Sequence, residues 1–256
     1  MIHPTAVIDP KAEIDQNVEI GAYSIVGKGV QIAAGNKIGP HVVIQGPTQL
    51  GENNTIFQFA SIGGAPQDKK YADEETTLVI GSGNTIREFV TINRGTTQDR
   101  GSTIIGDNNW IMAYVHIAHD CVIGNNTTFA NSASLAGHVY VDDYAILGGF
   151  TLVHQFCRIG AHCFTAMNSV ISKDVPPYVM VSGHMAETHG LNTEGLKRRG
   201  FSSEALVGLK RAYKTLYRSG KTLKEALVDL EEQANQTHEV AELVKFLKQV
   251  TRGIVR

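Results

Sequence analysis

Four histidines and one carboxylate are concentrated in a short stretch of the chain, at His116, His119, Asp120, His138 and His154. Histidine changes its charge between about pH 5 and 8, so it commonly acts as a general base or as a metal ligand. A lone histidine is more often structural, but a cluster of them beside a carboxylate predicts a functional site. Which of these side chains meet depends on the fold that carries them.

A repeat of six residues runs through most of the chain. Apolar residues occupy every sixth position across 2–62, 80–92 and 105–171, and Thr165 is the one polar residue in the last series. A period of six fits neither an amphipathic helix nor an alternating antiparallel strand. It predicts a parallel β-helix, a three-faced prism in which one coil takes 18 residues and coils lie roughly 4.8 Å apart. We therefore expect residues 1 to about 175 to form one solenoid.

The coil length predicts which residues are neighbours, because residues 18 apart stack in one column of such a prism. Two adjacent columns hold the polar residues of the cluster: His119, Gly137 and Gln155 in one, and Asp120, His138 and Phe156 in the other. The segment from His116 to Asp120 then lies beside the segments around His138 and His154. The pattern predicts one site in which histidines, a carboxylate and a glycine backbone converge.

From the residues alone, three uses of this site stay open. An enzyme could use His119 as a general base, with Asp120 fixing the imidazole tautomer and the Gly137 N–H supporting an oxyanion. A zinc site could use three histidines, as in the carbonic anhydrases with this type of solenoid, although His116 and His119 do not match a clean three-ligand geometry. A purely structural repeat protein would use none of them. The surplus of histidines favours the enzyme, and we expect no metal.

Nothing else in the sequence suggests a nucleophile or a cofactor. Cys121 and Cys157 fall in regular repeat positions, which predicts that they are wall residues rather than nucleophiles. No Walker or GxGxxG sequence occurs in a strand–turn–helix context, and we expect no cofactor.

Composition excludes several classes of protein. The formal net charge is −2 and 42% of the residues are hydrophobic, which gives no sign of a nucleic-acid partner. The segment that starts at Met1 lacks a signal-peptide pattern, and no stretch approaches ~18 uninterrupted apolar residues, so we expect no stable membrane insertion. Three cysteines without a CxxC pair favour a reducing, cytoplasmic location.

Two interruptions of the repeat predict loops that leave the solenoid, near 63–79 and near 93–104. The first is too polar to stack, and the second shifts the phase of the repeat by one residue. Long loops on a rigid solenoid are more often binding elements than accidents. We therefore expect both loops to contribute to the site.

The period stops after Pro176 and Pro177, and helical spacing begins. It predicts three helical segments, near 203–218, 222–235 and 238–252. Thr222 and Glu225 have the spacing of a capping box. We expect the β-helix to span 1–187 and an α-helical C-terminal domain to span 188–256.

The helical part is strongly basic. Residues 195–224 contain nine Lys or Arg and one acid, Glu204, in a chain whose net charge is −2. Such a cluster is either a solvated face or a docking surface, and we favour a surface for an acidic partner together with phosphate contacts.

Seven blocks of sequence carry a resemblance to one known family. They are 58–62 (QFASI), 67–71 (QDKKY), 116–121 (HIAHDC), 135–138 (LAGH), 153–157 (VHQFC), 174–178 (DVPPY) and 192–201 (NTEGLKRRGF). With them the chain resembles the acyl-ACP:UDP-N-acetylglucosamine O-acyltransferases, which begin lipid A synthesis in Gram-negative bacteria. The resemblance covers essentially the whole chain, and the last block separates it from generic hexapeptide acyltransferases.

The resemblance implies a left-handed β-helix, a homotrimer, and active sites in clefts between neighbouring subunits. It implies transfer of an R-3-hydroxyacyl group from acyl carrier protein to the 3-hydroxyl of UDP-N-acetylglucosamine. His119 would deprotonate that hydroxyl, Asp120 would orient the ring, and the Gly137 N–H would receive the developing oxyanion. The acidic carrier protein suits the basic tail.

The resemblance also implies substrate contacts at nine further positions. They are Asp68 and Lys70 for sugar, acyl or phosphate groups across the subunit boundary, His116, His138 and Gln155 for the sugar, Asn192 and Glu194 for uridine, and Arg198 and Arg199 for phosphate. A planar guanidinium suits a pair of phosphate oxygens.

Met167 stands where the family has a chain-length ruler. Members with glycine there accept longer acyl chains, and a methionine would fill the far end of the acyl groove. The sequence therefore predicts a chain shorter than fourteen carbons, of ten or twelve. Wall packing is the other interpretation of this residue.

Two rival activities remain at the level of sequence. The N-acyltransferase of the same pathway usually carries an extra N-terminal uridine-binding domain, whereas the repeats here begin at Ile2. A CoA-dependent acetyltransferase would not need the basic helical tail.

Overall fold

Short strands form three flat sheets that wind around one axis, and each coil adds one strand to each sheet. The computed structural model describes all 256 residues. The first sheet contains β1 (Val7–Ile8), β4 (Ile25–Val26), β7 (Val43–Ile44), β10 (Ser61–Gly64), β13 (Thr91–Asn93), β16 (His116–Ile117), β19 (Ser134–Leu135), β22 (Leu152–Val153) and β25 (Val170–Ile171). The second contains β2 (Glu13–Ile14), β5 (Val30–Ile32), β8 (Thr48–Leu50), β11 (Thr77–Ile80), β14 (Ser102–Ile105), β17 (Val122–Ile123), β20 (Tyr140–Val141) and β23 (Arg158–Ile159).

The third sheet is the longest. It contains β3 (Glu19–Ile20), β6 (Lys37–Ile38), β9 (Thr55–Ile56), β12 (Thr85–Ile86), β15 (Trp110–Ile111), β18 (Thr128–Phe129), β21 (Ile146–Leu147), β24 (Phe164–Thr165), β26 (Val179–Ser182) and β27 (Glu187–Leu191). Strands pair in parallel throughout, except that β27 runs antiparallel to β26 and closes the edge of the sheet. The parallel β-helix predicted from the period of six is confirmed.

The inward residue of each hexapeptide forms the core. Ile117, Ile123 and Phe129, which end three successive strands, are at most 1% exposed and point into the prism. Each stacks on its counterpart one coil away, as Ile117 does on Leu135. Burying a large aliphatic side chain contributes about 1.5–3 kcal/mol to the stability of the fold, so each coil is stabilised by the coil beside it.

The corners between sheets use left-handed backbone conformations. Tyr114, Asp120 and Asn126 occupy three successive corners, with φ of 64°, 60° and 57°. Such angles are uncommon for residues with a side chain, and the surrounding coils must hold them in place. The corner residues are thereby fixed one above another along the axis.

Both predicted loops leave the prism at one corner, between the first and second sheets. Ser61 pairs with Thr91 and Thr91 with His116, so these two coils take 30 and 25 residues where 18 would suffice, which leaves 12 and 7 extra residues (30 − 18 and 25 − 18). The extra residues lie between β10 and β11 and between β13 and β14. We call 65–76 the first loop and 94–101 the second loop. In the next coil the same corner, between β16 and β17, carries His119 and Asp120.

Four helices follow the β-helix: α1 (Thr193–Arg198), α2 (Ser203–Tyr217), α3 (Leu223–Ala234) and α4 (His238–Leu247). The three predicted segments correspond to α2, α3 and α4, and the capping box of Thr222 with Glu225 is present. The six-residue α1 was not predicted from the sequence. Leu209, Leu230 and Leu243 pack in a second core that also includes Tyr178 from the end of the prism.

None of these helices combines the length with the apolar character that crossing a bilayer would require.

Thr165, the polar exception in the inward series, is explained by a buried hydroxyl pair. Its Oγ1 lies 2.7 Å from Thr151 Oγ1, and both residues are fully buried. We expect Thr165→Val to lower the free energy of unfolding by about 1–3 kcal/mol, because the Thr151 hydroxyl would lose its partner inside the core. Urea denaturation at fixed protein concentration measures the change. The double variant Thr151→Val/Thr165→Val should recover most of the loss, and a double variant less stable than the single one would contradict this account.

Candidate active site

The His119 ring is held by the residue that follows it. His119 and Asp120 occupy the turn between β16 and β17, and the left-handed conformation of Asp120 brings the two side chains together. His119 Nδ1 lies 2.9 Å from Asp120 Oδ2. An ionised carboxylate only accepts, so Nδ1 carries the hydrogen and the lone pair is on Nε2.

Asp120 is fully buried and its oxygens are well supplied with donors. The backbone N–H of Thr96 lies 2.9 and 3.1 Å from its two oxygens, and Thr96 Oγ1 donates to Oδ2 at 2.6 Å. Burial raises the pKa of the Asp120 carboxyl, but the hydrogen bonds from His119 and Thr96 outweigh it and hold the pKa below its usual value. Asp120 is therefore ionised at neutral pH and is a fixed acceptor for the imidazole.

The coil above places Gly137 against the His119 ring. A β-carbon at position 137 would lie 2.5 Å from Cε1 and 2.7 Å from Nε2 of His119, so any side chain there would displace the imidazole ring. The Gly137 N–H donates to no group of the chain. A donor of this kind beside the free lone pair of a histidine could bind an oxygen that becomes negative during a reaction.

His138 completes the buried part of the cluster. Its ring meets His119 edge-on at 5.0 Å between centroids and stacks on Phe156 at 4.4 Å. His138 Nδ1 lies 2.8 Å from Asp99 Oδ2 in the second loop, and the side chain is 13% exposed. The columns expected from the coil length are thus observed in the packing of these rings.

His116 lies on the strand that leads into the turn. Its Nδ1 lies 2.7 Å from Thr91 Oγ1. Burial lowers the pKa of His116, and the neighbouring His119 lowers it further, so His116 is neutral at pH 7 and can bind a polar ligand by hydrogen bonds. Gln155 is exposed and continues the column of His119 and Gly137. His154 makes one polar contact, with the Gln155 carbonyl, and takes no part in the hydrogen bonds of the cluster.

The two loops are joined to each other at the mouth of the site. Arg94 Nη2 donates to the Tyr71 hydroxyl at 3.1 Å, and Thr97 Oγ1 lies 3.4 Å from Glu74 Oε1. Because Thr96 of the second loop binds Asp120, these contacts connect the first loop to the His119–Asp120 pair by way of the second loop.

Asp68 and Lys70 share one turn of the first loop. The Lys70 N–H donates to Asp68 Oδ1 at 3.0 Å. Lys70 is exposed and its ammonium group has no partner in the chain. The turn therefore presents a free cation next to a carboxylate, which suits contacts with a polar or phosphorylated ligand.

The residues that the resemblance assigns to uridine and phosphate lie at a different corner, between the second and third sheets. Asn192 caps α1 by accepting from the Gly195 N–H at 3.3 Å, and its Nδ2 donates to the His162 carbonyl at 3.0 Å. Arg199 donates to the Tyr144 carbonyl at 2.8 Å and its guanidinium lies 4.8 Å from the centre of that ring. Within one chain, these residues are not brought together with His119.

The other two members of this group are exposed. Glu194 pairs with Lys197 at 3.0 Å. Arg198 has no partner in the chain and is free for a ligand. Arg199 differs, because burial lowers the pKa of its guanidinium and its donors already serve the chain. Arg198 is thus the better-placed phosphate ligand of the two.

Met167 lies at the third corner, between the third and first sheets, and is 79% exposed. Wall packing within its own chain is therefore excluded.

One group of side chains has the arrangement of metal ligands. Ligand atoms of His119, Asp120 and His138 lie within 4.8 Å of one another. Their hydrogen bonds argue for another use, because Asp120 Oδ2 already accepts from His119 and Thr96, and His138 Nδ1 is bound to Asp99. The donor set fits an oriented histidine better than a metal centre.

Two residues of the site were not predicted from the sequence, Thr96 and Asp99. Both lie in the second loop, where extra residues break the 18-residue register and remove the means of placing neighbours. Their signal in the sequence was only the position of the interruption, one coil before His119.

Known proteins match the whole chain. It is 61% identical over 255 residues to the acyl-[acyl-carrier-protein]–UDP-N-acetylglucosamine O-acyltransferase of Thiobacillus denitrificans, with 100% of this chain and 99% of that relative covered. The protein of the same description from Neisseria gonorrhoeae is 59% identical over 256 residues with the same coverage. The chain belongs to this acyltransferase family. It is therefore an enzyme, as the histidine cluster suggested.

Two family profiles and two solved structures agree with this assignment. The profile described as Udp N-acetylglucosamine O-acyltransferase, domain 2, matches residues 174–255, and that of the bacterial transferase hexapeptide (six repeats) matches 102–137. The UDP-N-acetylglucosamine O-acyltransferase of Moraxella catarrhalis superposes with a TM-score of 0.98 at 47% identity, covering 100% of this chain and 99% of that one. For the UDP-N-acetylglucosamine acyltransferase of Francisella novicida the values are 0.98 and 44%, with 100% and 94% covered.

The superposition also establishes the hand of the coil. A mirror-image coil would not superpose on these acyltransferases, and the β-helix is left-handed as in that family. The fold class expected from the sequence is confirmed.

The close packing of Gly137 against His119 yields a test of the site. We expect Gly137→Ala to lower the kcat of acyl transfer by about 10²-fold, because the added methyl group would push the imidazole out of line by about 1 Å. The circular dichroism spectrum should stay unchanged. Gly27→Ala is the matched control, since Gly27 lies at the same corner near the other end of the prism and its β-carbon would stay 3.3 Å or more from other atoms. Full activity in Gly137→Ala would exclude the site.

Proposed function

We propose that the enzyme transfers an R-3-hydroxyacyl chain of ten to twelve carbons from acyl carrier protein to the 3-hydroxyl of UDP-N-acetylglucosamine, the first step of lipid A synthesis, with His119 as the general base. The relatives are named for this donor and acceptor. The observation that carries the role of His119 is its hydrogen bond to the buried, ionised Asp120. That bond leaves Nε2 unprotonated and fixed in direction.

The reaction follows from this arrangement. His119 Nε2 takes the proton of the sugar hydroxyl while the oxygen attacks the thioester carbonyl carbon. The carbonyl oxygen becomes negative and binds the Gly137 N–H. When the tetrahedral intermediate collapses, the C–S bond breaks and the leaving thiolate takes the proton back from His119. A general base contributes about 10²–10⁴-fold, and positioning of the two substrates supplies much of the rest.

The placement of the remaining predicted residues favours a homotrimer with active sites between subunits. His119, Arg198 and Met167 lie at or beside three different corners of one prism, so one chain cannot surround a substrate with all of them. Apolar side chains are exposed towards both ends of the first sheet, with Val7 62%, Ile25 45% and Leu152 47% exposed. Exposed apolar side chains that share a face favour association.

An aromatic column strengthens the case for association. Tyr23, His41, Phe59, Phe89 and Tyr114 stack along the corner between the third and first sheets at 4.9–5.2 Å between ring centroids. Packing against a second copy would bury this column. It would also place a corner of one copy opposite the first loop of the other, which carries Asp68 and Lys70. His116, His138 and Gln155 would then bind the sugar, while Asn192, Glu194 and Arg198 bind the nucleotide, with Arg199 beside them.

The helical domain offers a surface for the donor protein. Leu191, Leu206 and Val207 line a groove of about 480 Å³. Its rim is cationic, with Lys197, Lys210, Lys214 and Arg218. An apolar groove rimmed by positive charge suits an acidic carrier protein with a long prosthetic arm. We place acyl carrier protein there.

We also propose that residues 188–256 form a separate domain with this docking role. We propose a cytoplasmic location for the enzyme, where the three buried thiols stay free.

The direct test is an incubation with UDP-N-acetylglucosamine and a mixture of 3-hydroxyacyl carrier proteins of different lengths, followed by mass spectrometry of the product. O-acylated UDP-N-acetylglucosamine is expected. Product formed only with a glucosamine nucleotide that carries an amine would favour the related N-acyltransferase. Product from acyl-CoA alone would favour a CoA-dependent enzyme, and no product with any donor would favour a scaffold.

Removal of the base should abolish turnover. We expect His119→Ala to lower kcat/KM by about 10³-fold or more, because the sugar hydroxyl then has no group to accept its proton. The same assay with His3→Ala, an exposed histidine in the first coil, provides the control. A His119→Ala enzyme that retains most of its activity would exclude the general base.

Met167 offers a test of chain length. We expect Met167→Gly to shift the preferred donor from ten or twelve carbons to fourteen or more, because the groove lengthens when the thioether side chain is removed. Competition between donors in one reaction gives the ratio of kcat/KM values directly. An unchanged ratio would exclude Met167 as the ruler, and because the ratio compares donors within one reaction, it does not depend on a fall in the total activity of the variant.

A further inference from the structure

A second carboxylate–histidine pair lies beside the first. Asp99 lies in the second loop, and its Oδ2 is 2.8 Å from His138 Nδ1. Asp120 Oδ2 lies 3.9 Å from the same nitrogen. The Asp99 side chain is 35% exposed and that of His138 is 13% exposed. The reaction described above assigns no role to Asp99.

The position of Asp99 is determined by its own loop. The Thr96 carbonyl accepts from the Asp99 and Gly101 N–H groups, at 3.4 and 3.0 Å, which closes a tight turn. Arg100, the next residue, donates to the Tyr140 hydroxyl and its guanidinium lies 4.9 Å from the centre of that ring. Thus a turn on one side and a strand of the prism on the other hold Asp99 over His138.

We propose that Asp99 is a positioning residue for His138. Its carboxylate takes the Nδ1 hydrogen, so the imidazole is held as the Nδ1–H tautomer and Nε2 is left to accept a hydrogen bond from the sugar acceptor. The ring stacks on Phe156 at 4.4 Å between centroids, which fixes the plane of the imidazole. The assignment of the sugar rests on the proposed function, whereas the tautomer does not.

With Asp99 present, each histidine has its own carboxylate: His119 bonds to Asp120 and His138 to Asp99. Asp120 Oδ2 already accepts from His119 Nδ1 and from the Thr96 hydroxyl. If Asp99 were absent, the nearest carboxylate oxygen to His138 Nδ1 would be Asp120 Oδ2, which lies 3.9 Å away and is already occupied, so an Nδ1–H would have no free acceptor. Two carboxylates thereby allow two adjacent imidazoles to hold defined tautomers.

The charged and titratable groups around His138 are few. Asp99 and Arg100 face it from the second loop, with Arg100 Nη2 3.8 Å from Asp99 Oδ2. Asp120 and His119 face it from the neighbouring corner. Phe156 covers the other face of the ring. Replacing Asp99 therefore removes the carboxylate that lies nearest to His138 Nδ1.

The test compares Asp99→Asn with Glu75→Gln, an isosteric loss of charge at an exposed residue of the first loop. Nitrogen-15 spectra of the histidine rings report which ring nitrogen carries the hydrogen, and His138→Gln identifies the signal. In the unaltered enzyme and in Glu75→Gln we expect protonated Nδ1 and unprotonated Nε2 at His138. In Asp99→Ala, which removes the acceptor, the Nε2–H tautomer should become the major neutral form, and in Asp99→Asn, whose amide oxygen accepts more weakly than a carboxylate, the share of that tautomer should rise.

Steady-state kinetics provide the second readout. We expect Asp99→Asn to raise KM for UDP-N-acetylglucosamine about tenfold, the change that corresponds to loss of about one hydrogen bond, with a smaller effect on kcat. Glu75→Gln should leave both constants unchanged. An unchanged His138 tautomer in both Asp99 variants would overturn the proposal even if the enzyme makes the expected product. Failure of the unaltered enzyme to make product would instead count against the proposed function and leave the tautomer result standing.

Discussion

The structure depends on stacking in register. Each inward aliphatic residue is buried only because its counterpart one coil away covers it, so a shift of one residue in any coil would expose a polar side chain to the core. The corners obey the same requirement. In the polar column that includes Asn54, Asn84 and Asn109, each side-chain carbonyl accepts from the backbone N–H of the next coil at 2.8–2.9 Å. Because the stacked positions of each coil must stay in register, additional sequence leaves the prism at a corner, and it does so twice at the same one.

The active site follows from that restriction. A regular coil supplies the His119–Asp120 turn and, one coil above, a glycine that the imidazole packs against. The regular coils supply one donor to the buried Asp120 carboxylate, the His119 ring, and the second loop provides the others through Thr96. The regular coils therefore determine the positions of the reacting groups, while the second loop determines their protonation. Such a division explains why a carboxylate with no exposure to water can remain ionised.

Most of the prism could be predicted from the sequence, because a period of six has one structural solution and the coil length then identifies neighbours. The columns of His119 with Gly137 and of His138 with Phe156 followed in this way. The contacts of Thr96 and Asp99 could not be predicted, since inserted residues have no register. Short α1 was also missed, because its six residues show too little periodicity, and Asn192 gave no sign that it caps that helix. Residues assigned by resemblance, such as Asn192 and Met167, lie at other corners for a reason that no pattern within one chain reveals.

The two ends of the prism are capped differently. At the C-terminal end, antiparallel β27 blocks the open edge of the third sheet and the helices cover the last coil around Tyr178. At the N-terminal end, the first coil has no cover, and Ile2 is 44% exposed beside a half-buried Ile8. In a stack where each layer is stabilised mainly by its neighbours, loss of order can propagate one layer at a time from the unprotected end. The turn that carries His119 follows β16, the sixth of the nine strands of the first sheet, and is therefore nearer to the covered end. Loss of order in the first coils would leave several ordered coils between them and the histidines.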